Sequence, residues 1–267
     1  MRVSGLDGAL ARIAAGGLAG VVVATATQVR LPLIAGCAAE GLPVYVEKPL
    51  AFEVAELAAI EAVAAPVAAR SMLGLMMRYH PAFRELAGAD LGGTYRFSFD
   101  IGHDVTLWRA NWRFADSYAA RAAGGGVLLD LCHELDMAAC LFPAATLDAV
   151  ESIGHRRYPG VDMATRISLG GNALGSVSMD YLSPVSTRRI DIAGTDVRRV
   201  VDLLAWPLER NQMFLAVMRD WLALIEGQPA SGVEHPPRLD LVGRSCRMVV
   251  DAYAARHFVG ELTGEKP

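Results

Sequence analysis

With 267 residues, 53% of them hydrophobic, the chain can bury a substantial core and form one large or two modest domains. The net charge of −4 is mild, the arginine pairs Arg156-Arg157, Arg188-Arg189 and Arg198-Arg199 are isolated, and no basic patch interleaved with aromatics argues for a nucleic-acid partner. Cys37, Cys132, Cys140 and Cys246 form no C-x-x-C and give neither a zinc nor a disulfide framework, so reduced thiols of the cytoplasm are expected.

The first stretch imitates a secretory leader: Arg2, then an apolar run from Ile13, then Ala24-Thr25-Ala26. Asp7 and Arg12 interrupt it, and Gly16, Gly17 and Gly20 weaken it as one helix. It reads instead as a helix over 7–15, a turn, and a buried strand over 20–25. Residues 31–40 read as a helix closed by Gly41, and 43–47 as the next strand, which makes a βαβ crossover. An alanine-rich helix follows over 53–65. Residues 67–77 are mostly apolar and read as a further strand leading to Arg78.

From about residue 91 the period changes to two. Tyr95, Phe97, Phe99 and Ile101 alternate with polar residues; so do the runs 161–169 and 177–181, with Gly170-Gly171-Asn172 as a turn between them. Such strands have one buried and one wet face. Ile190 and Ile192 suggest another strand. A helix is expected near Pro207, ended by Gly227, and a last one over 238–257. The fold class read from this is α/β followed by α+β, with domains over 1–85 and 86–267. No apolar run is long enough to span a membrane.

Two segments carry chemistry. Gly124-Gly125-Gly126 ends a loop and opens a periodic apolar helix on which Asp130, His133 and Asp136 recur every three residues. A histidine titrates near neutrality and can move a proton, and an aspartate beside it can orient a hydroxyl or the imidazole. Packing is the expected role of Cys132. The second segment is Glu47-Lys48-Pro49, just past the carboxyl end of the 43–47 strand, where open α/β sheets place reactive residues. A partly desolvated lysine there can transfer protons. Arg78 lies at another strand end. Trp108, Trp112 and Tyr118 occupy the loop before the glycines and can stack on a ring. His80, His103, His155, His235 and His257 have no spacing that reads as a metal site, and none is expected.

Together, Glu47-Lys48-Pro49 and the glycine-led Asp130/His133/Asp136 helix resemble the Gfo/Idh/MocA (glucose-fructose oxidoreductase / inositol dehydrogenase) family. Ala24-Thr25 after Val21-Val22-Val23 looks like its strand ending in T-P, with Ala26 in place of the proline. Ser117-Tyr118-Ala119-Ala120-Arg121 and Met179-Asp180-Tyr181 look like a sugar-modifying subgroup. Asp130 and His133 are three apart where the commonest family spacing is four. The resemblance spans about residues 7–260. It implies a partial Rossmann-like parallel sheet, then a mostly antiparallel open sheet with helices on one face and a C-terminal helix returning to the first domain.

It also implies NAD or NADP as cofactor and hydride transfer to or from a hydroxyl carbon of a sugar, sugar derivative or cyclitol. Lys48 or His133 removes the hydroxyl proton, assisted by Asp130. Thr25, Glu47, Lys48, Pro49 and Arg78 are the expected cofactor-facing residues, and Asp130, His133, Trp112 and Tyr118 the substrate-facing ones. Copies of the chain are expected to pair through the C-terminal sheet.

One element does not match. A dinucleotide domain opens with a strand, a G-x-G-x-x-G turn and a helix, and no such turn is found here. The chain opens at what resembles the family's third helix, so that two βα units, roughly 60 residues at about 30 per unit, are expected to be missing. The alternative expectation is therefore a non-catalytic remnant that acts as an oligomerising or interaction protein.

Overall fold

The computed structural model describes residues 4–108, 111–230 and 233–264; Arg2 of the leader-like stretch lies outside them. The chain divides into two compact units. One contains residues 1–84 and 209–247, the other 85–208 and 248–267. The first unit thus takes in the segment 209–247, which the sequence boundary at 85/86 assigns to the second domain.

The first unit opens with α1 (Gly5–Ala14), β1 (Val21–Val23), α2 (Arg30–Ala39), β2 (Val44–Val46), α3 (Val54–Ala64) and the two-residue β3 (Met72–Leu73). The strands form a parallel sheet in the order β1-β2-β3. Val44, Tyr45 and Val46 are all buried, as strands covered on both faces should be. Helix α2 buries Arg30, Leu33, Ile34 and Cys37, a single face at helical spacing, and Pro32 falls in its first turn, where the missing N–H costs nothing. The expected strand over 67–77 is corrected: it is a 3-10 turn, the short β3, and a second 3-10 turn over Met76–Tyr79. The Gly74 amide makes the last ladder bond, to the Val46 carbonyl, while the Leu73 amide bonds to the Pro237 carbonyl.

Helix α4 (Pro81–Ala87) leads to β4 (Thr94–Gly102). Then come α5 (Val127–Asp130), α6 (His133–Leu141), β5 (Thr146–His155), β6 (Ala164–Gly170), β7 (Leu174–Asp180), β8 (Thr187–Gly194) and β9 (Arg198–Asp202). After α7 (Arg210–Ile225) and α8 (Gly243–Ala255), β10 (His257–Leu262) completes a seven-stranded sheet ordered β10-β5-β6-β7-β4-β8-β9. The β4–β7 and β10–β5 pairs are parallel and the rest antiparallel. Phe97, Phe99, Val150, Ile167, Val177, Met179, Ile190 and Ile192 form the buried face, against which α6 and α5 pack. Phe97 stacks on Phe142 at the end of α6, with centroids 3.8 Å apart. The other face carries Ser98, Ser168, Ser176 and an Arg198–Asp191 ion pair at 2.6 Å.

Three strands escape a period-of-two reading for physical reasons. β5 and β10 each contain a register shift, between Leu147 and Ala149 and between Phe258 and Gly260, and a bulge breaks alternation. β9 is an exposed, arginine-bearing edge with no buried face to mark it. The expected last helix over 238–257 is shorter, because its end turns into β10.

In the first unit α7 is fixed by aromatic contacts. The Tyr79 hydroxyl donates to Asp220 at 2.8 Å. Burial and that carboxylate push the Tyr79 phenol far above its ordinary range, so it stays a donor. Trp221 is 4% exposed and lies against Tyr45, with centroids 5.9 Å apart. Trp221→Ala is expected to destabilise the protein by about 3–5 kcal/mol, the range for deleting a buried aromatic, read from the urea unfolding midpoint by circular dichroism.

Candidate functional site

In the second unit the segment 124–136 is not one continuous helix, and this corrects the sequence reading. Helix α5 ends at Asp130, the ladder is interrupted at Leu131–Cys132, and α6 begins at His133. Asp130 and His133 therefore stand on either side of an elbow, 4% and 6% exposed. Two phenols hold the Asp130 carboxylate. Tyr118 donates to Oδ1 at 2.6 Å and Tyr181 to Oδ2 at 2.9 Å, with the Gly126 carbonyl also near the Tyr181 hydroxyl at 3.1 Å. Tyr181 is buried at 1%, and its phenol is pushed well above the ordinary range by burial and by Asp130, so it remains a donor.

The glycine loop exists to bring this carboxylate into place. Gly126 has φ +93°, and a Cβ there would lie 2.1 Å from an Asp162 oxygen. A Cβ on Gly125 would lie 2.3 Å from the Arg121 carbonyl and 2.6 Å from that of Tyr118. Asp162 serves as the missing cap of α5: its carbonyl accepts from Val127 and its carboxylate from Leu128 at 2.8 Å. Burial pushes the Asp162 carboxyl up, and Arg256, paired with it at 2.6 Å, pulls the other way. The Arg256 guanidinium rests 3.5 Å from the Tyr253 ring centroid, and the Tyr253 hydroxyl takes the Gly124 amide at 2.9 Å. On the far side, buried Glu134 pairs with Arg188 of β8 at 2.6 Å and fixes α6 to the sheet. Asp136 is buried at 1% in the first turn of α6 and packs beside Cys140.

An aromatic wall stands beside Asp130. Phe114 meets Tyr181 edge-on at 5.6 Å, Trp112 meets Phe114 at 6.3 Å and Trp108 at 5.7 Å, and Trp108 reaches His103 at 5.6 Å. His103, at the end of β4, also lies edge-on to Tyr181, and its Nε2 is buried with no hydrogen-bond partner among the described residues. Burial holds its imidazole below the ordinary 6.5, with Arg188 acting in the same direction; Asp130, Asp180 and Asp104 oppose them and lose. The sequence reading considered His103 only as a metal ligand, and neither it nor Tyr181 was among the expected site residues. Among the described residues no group of three or more histidine, cysteine or acidic side chains could hold a metal ion.

In the first unit, Thr25, Glu47, Lys48 and Pro49 follow β1 and β2 at their carboxyl ends. The Lys48–Pro49 peptide is cis. A residue absent from the sequence reading organises both loops: the guanidinium of Arg30, itself 4% exposed, donates to the Thr25 carbonyl at 2.9 and 3.2 Å and to the Pro49 carbonyl. Thr25 is exposed, while Lys48 and Glu47 are half-buried. Glu47 lies beside the Tyr45 hydroxyl, and both crowd the position where Gly74 would carry a Cβ, at 3.0 and 2.9 Å. Arg78, expected to face the cofactor, is tied within the first unit. It is 3% exposed, and its guanidinium donates to the His235 carbonyl at 3.3 Å and the Ser245 hydroxyl at 3.1 Å.

No family model and no curated protein matches the chain. Solved structures do. A myo-inositol dehydrogenase from Corynebacterium glutamicum aligns over 95% of this chain and 81% of its own, at 16% identity and TM-score 0.73. The UDP-N-acetylglucosamine 3-dehydrogenase GnnA from Acidithiobacillus ferrooxidans aligns over 96% and 82%, at 17% identity and 0.73. GenD2 from gentamicin A biosynthesis, solved in complex with NAD, aligns over 95% and 78%, at 20% identity and 0.73. The fold is that of the Gfo/Idh/MocA oxidoreductases. At these identities the likeness extends to the fold, a parallel sheet followed by an open, mostly antiparallel one.

Gly126→Ala is expected to cost about 3 kcal/mol or more, because it combines a left-handed backbone with a close approach to Asp162; urea unfolding measures it. His103 gives a pH signature. Its folded-state pKa lies below the unfolded value of about 6.5, so the unfolded chain binds more protons in that window and stability rises with pH there. Unfolding midpoints recorded from pH 5 to 8 should fall on the acid side, and His103→Gln should flatten that slope.

Proposed function

We propose that the chain is an NAD(P)-dependent oxidoreductase of the Gfo/Idh/MocA family that acts on a hydroxyl carbon of a sugar, sugar derivative or cyclitol. The observation that carries this reading is Asp130: a buried carboxylate held by two phenols, three residues before a buried histidine and flanked by an aromatic wall. A carboxylate accepts hydroxyl protons, and aromatic faces receive the C–H faces of a sugar ring. Asp130 orients the reacting hydroxyl and His133 takes or returns its proton; Trp112 and Tyr118 contribute to the substrate surface. The neighbours' chemistry supports the same class: one is a myo-inositol dehydrogenase and another a UDP-N-acetylglucosamine 3-dehydrogenase.

The cofactor assignment has separate support, since GenD2 was solved with NAD. The residues present fit part of a dinucleotide. Exposed Thr25 and half-buried Lys48, on loops pinned by Arg30, can face a ribose or a carboxamide, with Glu47 and Pro49 beside them. A Gly-rich pyrophosphate turn is not among the 267 residues. A nicotinamide held beside Thr25 and Lys48 would supply the acceptor for the carbinol hydride. Lys48 is the cofactor- and substrate-facing lysine and the second candidate for the proton-transfer role.

The same reading includes pairing of copies through the serine-bearing face of the seven-stranded sheet and residence in the cytoplasm. None of the four cysteines is in a disulfide, and no helix among the described residues is long and apolar enough to cross a membrane. The test begins with fluorescence titration of the chain with NADH and NADPH. Saturable binding is expected, weakened about tenfold by Lys48→Ala, a loss of about 1.4 kcal/mol. With a turned-over polyol in hand, His133→Ala is expected to lower kcat by roughly 10²–10⁴. A folded chain that binds neither nucleotide would remove the oxidoreductase reading and leave the interaction protein.

A further inference from the structure

A one-turn helix does not hold its own shape, because a first turn fixes more backbone torsions than its few hydrogen bonds repay. In α5 the ladder consists of the Asp130 amide on the Gly126 carbonyl at 3.2 Å and the Leu131 amide on the Val127 carbonyl at 2.8 Å. Asp162 holds the start of this turn. The Tyr181 hydroxyl reaches both of its ends: it lies 2.9 Å from Asp130 Oδ2 and 3.1 Å from the carbonyl of Gly126, the residue before Val127. Tyr181 is itself anchored from several sides. Its amide donates to the Met163 carbonyl at 2.9 Å and its carbonyl accepts from Val105 at 3.0 Å. Its ring stands edge-on to Phe114 and to His103, with 1% of the residue exposed. Burial and the Asp130 carboxylate keep the phenol protonated. The hydroxyl is thus a permanent donor at a fixed point just past the end of β7.

We propose that Tyr181 is a positioning residue for the reaction: it acts through Asp130, setting the orientation of that carboxylate in the frame of the seven-stranded sheet. This rests on the reading of Asp130 as the carboxylate that orients the reacting hydroxyl. Tyr118 also donates to Asp130, from the loop before the glycines. Tyr181 adds a tie to a point that the sheet itself fixes, whatever else the carboxylate meets. A carboxylate oxygen accepts a hydroxyl along its lone pairs, so turning the carboxylate turns the bound hydroxyl and the carbon behind it. Hydride transfer from that carbon tolerates little misplacement, whereas binding of the hydroxyl tolerates more. Loss of the tie therefore weighs on turnover more than on affinity.

The experiment is a double-mutant cycle on the full chain, over Tyr181→Phe, Asp130→Ala and the two combined. The readouts are the calorimetric Kd for myo-inositol and N-acetylglucosamine, and kcat and KM for the one that is oxidised with NAD+ or NADP+. Tyr181→Phe keeps the buried ring and removes the hydroxyl. It is expected to lower kcat about tenfold, the scale of one lost hydrogen bond, and to raise Kd and KM only about threefold. With Asp130→Ala already in place, the same change is expected to move neither. Tyr181→4-aminophenylalanine puts a weaker donor at the same point and is expected to fall between parent and Tyr181→Phe; it takes over the cycle should Tyr181→Phe not fold.

Equal losses from Tyr181→Phe with and without the Asp130 carboxylate overturn the proposal, because a purely structural contribution is the same in both backgrounds. A Tyr181→Phe variant that turns over like the parent also overturns it while leaving the oxidoreductase reading intact. So does a chain that binds NADH but neither polyol, which spares the nucleotide reading. Coupling between the two residues in polyol Kd, in a chain that transfers no hydride, does the opposite: the oxidoreductase reading falls and Tyr181 stands as the residue that positions Asp130.

Discussion

The buried carboxylate of Asp162 governs the candidate site of the second unit. It lies fully inside the unit, where an ionised group is costly unless several partners converge on it. Arg256 supplies the charge, and the Leu128 amide and the Thr165 hydroxyl supply hydrogen bonds. The Leu128 contact turns an electrostatic necessity into geometry. Because Asp162 replaces the absent cap of α5, the helix start is held where the carboxylate is, and Asp130 at the other end of this one-turn helix follows. Gly126 is glycine because the carboxylate occupies the space of its side chain. An apolar replacement of the Asp162–Arg256 pair could match it in stability, but it would leave the first turn of α5 without an acceptor.

Arg30 does for the first unit what Asp162 does for the second. A single guanidinium collects carbonyls from the ends of β1 and β2, so the two loops bearing Thr25 and Lys48 share one anchor. In both units a buried charge is spent on backbone groups close to a residue that the sequence singles out.

Elements with a uniform face were readable from the residues. The helix over 31–40 buries residues at helical spacing, and the runs ending at Ile101, Leu169 and Tyr181 alternate strictly. β5 and β10 were not, because a bulge shifts the phase of their side chains midway, and β9 has no buried face to reveal its period. The elbow between Asp130 and His133 was equally hidden, since apolar residues continue across it as they would along an intact helix. For the candidate site, Lys48, Asp130, His133 and Tyr118 are residues whose chemistry makes them stand out in the sequence. Their supports do not. Arg256 lies 94 positions from Asp162, and Tyr181 lies 51 positions from Asp130. Arg30 reads as an ordinary residue at a helix start, and the partners of Arg78 at its strand end lie more than 150 positions away.

The tie between the glycine loop and the end of α8 sets an order in time. Gly124 and Tyr253 are 129 positions apart, and a contact of that span forms only after the intervening chain has been brought together. The hairpin of β6 and β7 needs only its own turn and can precede it. The loop that presents Asp130 cannot acquire its final shape until Tyr253 and Arg256 arrive. The position of Asp130 thus depends on a contact between distant parts of the chain and not on the local sequence around the glycines.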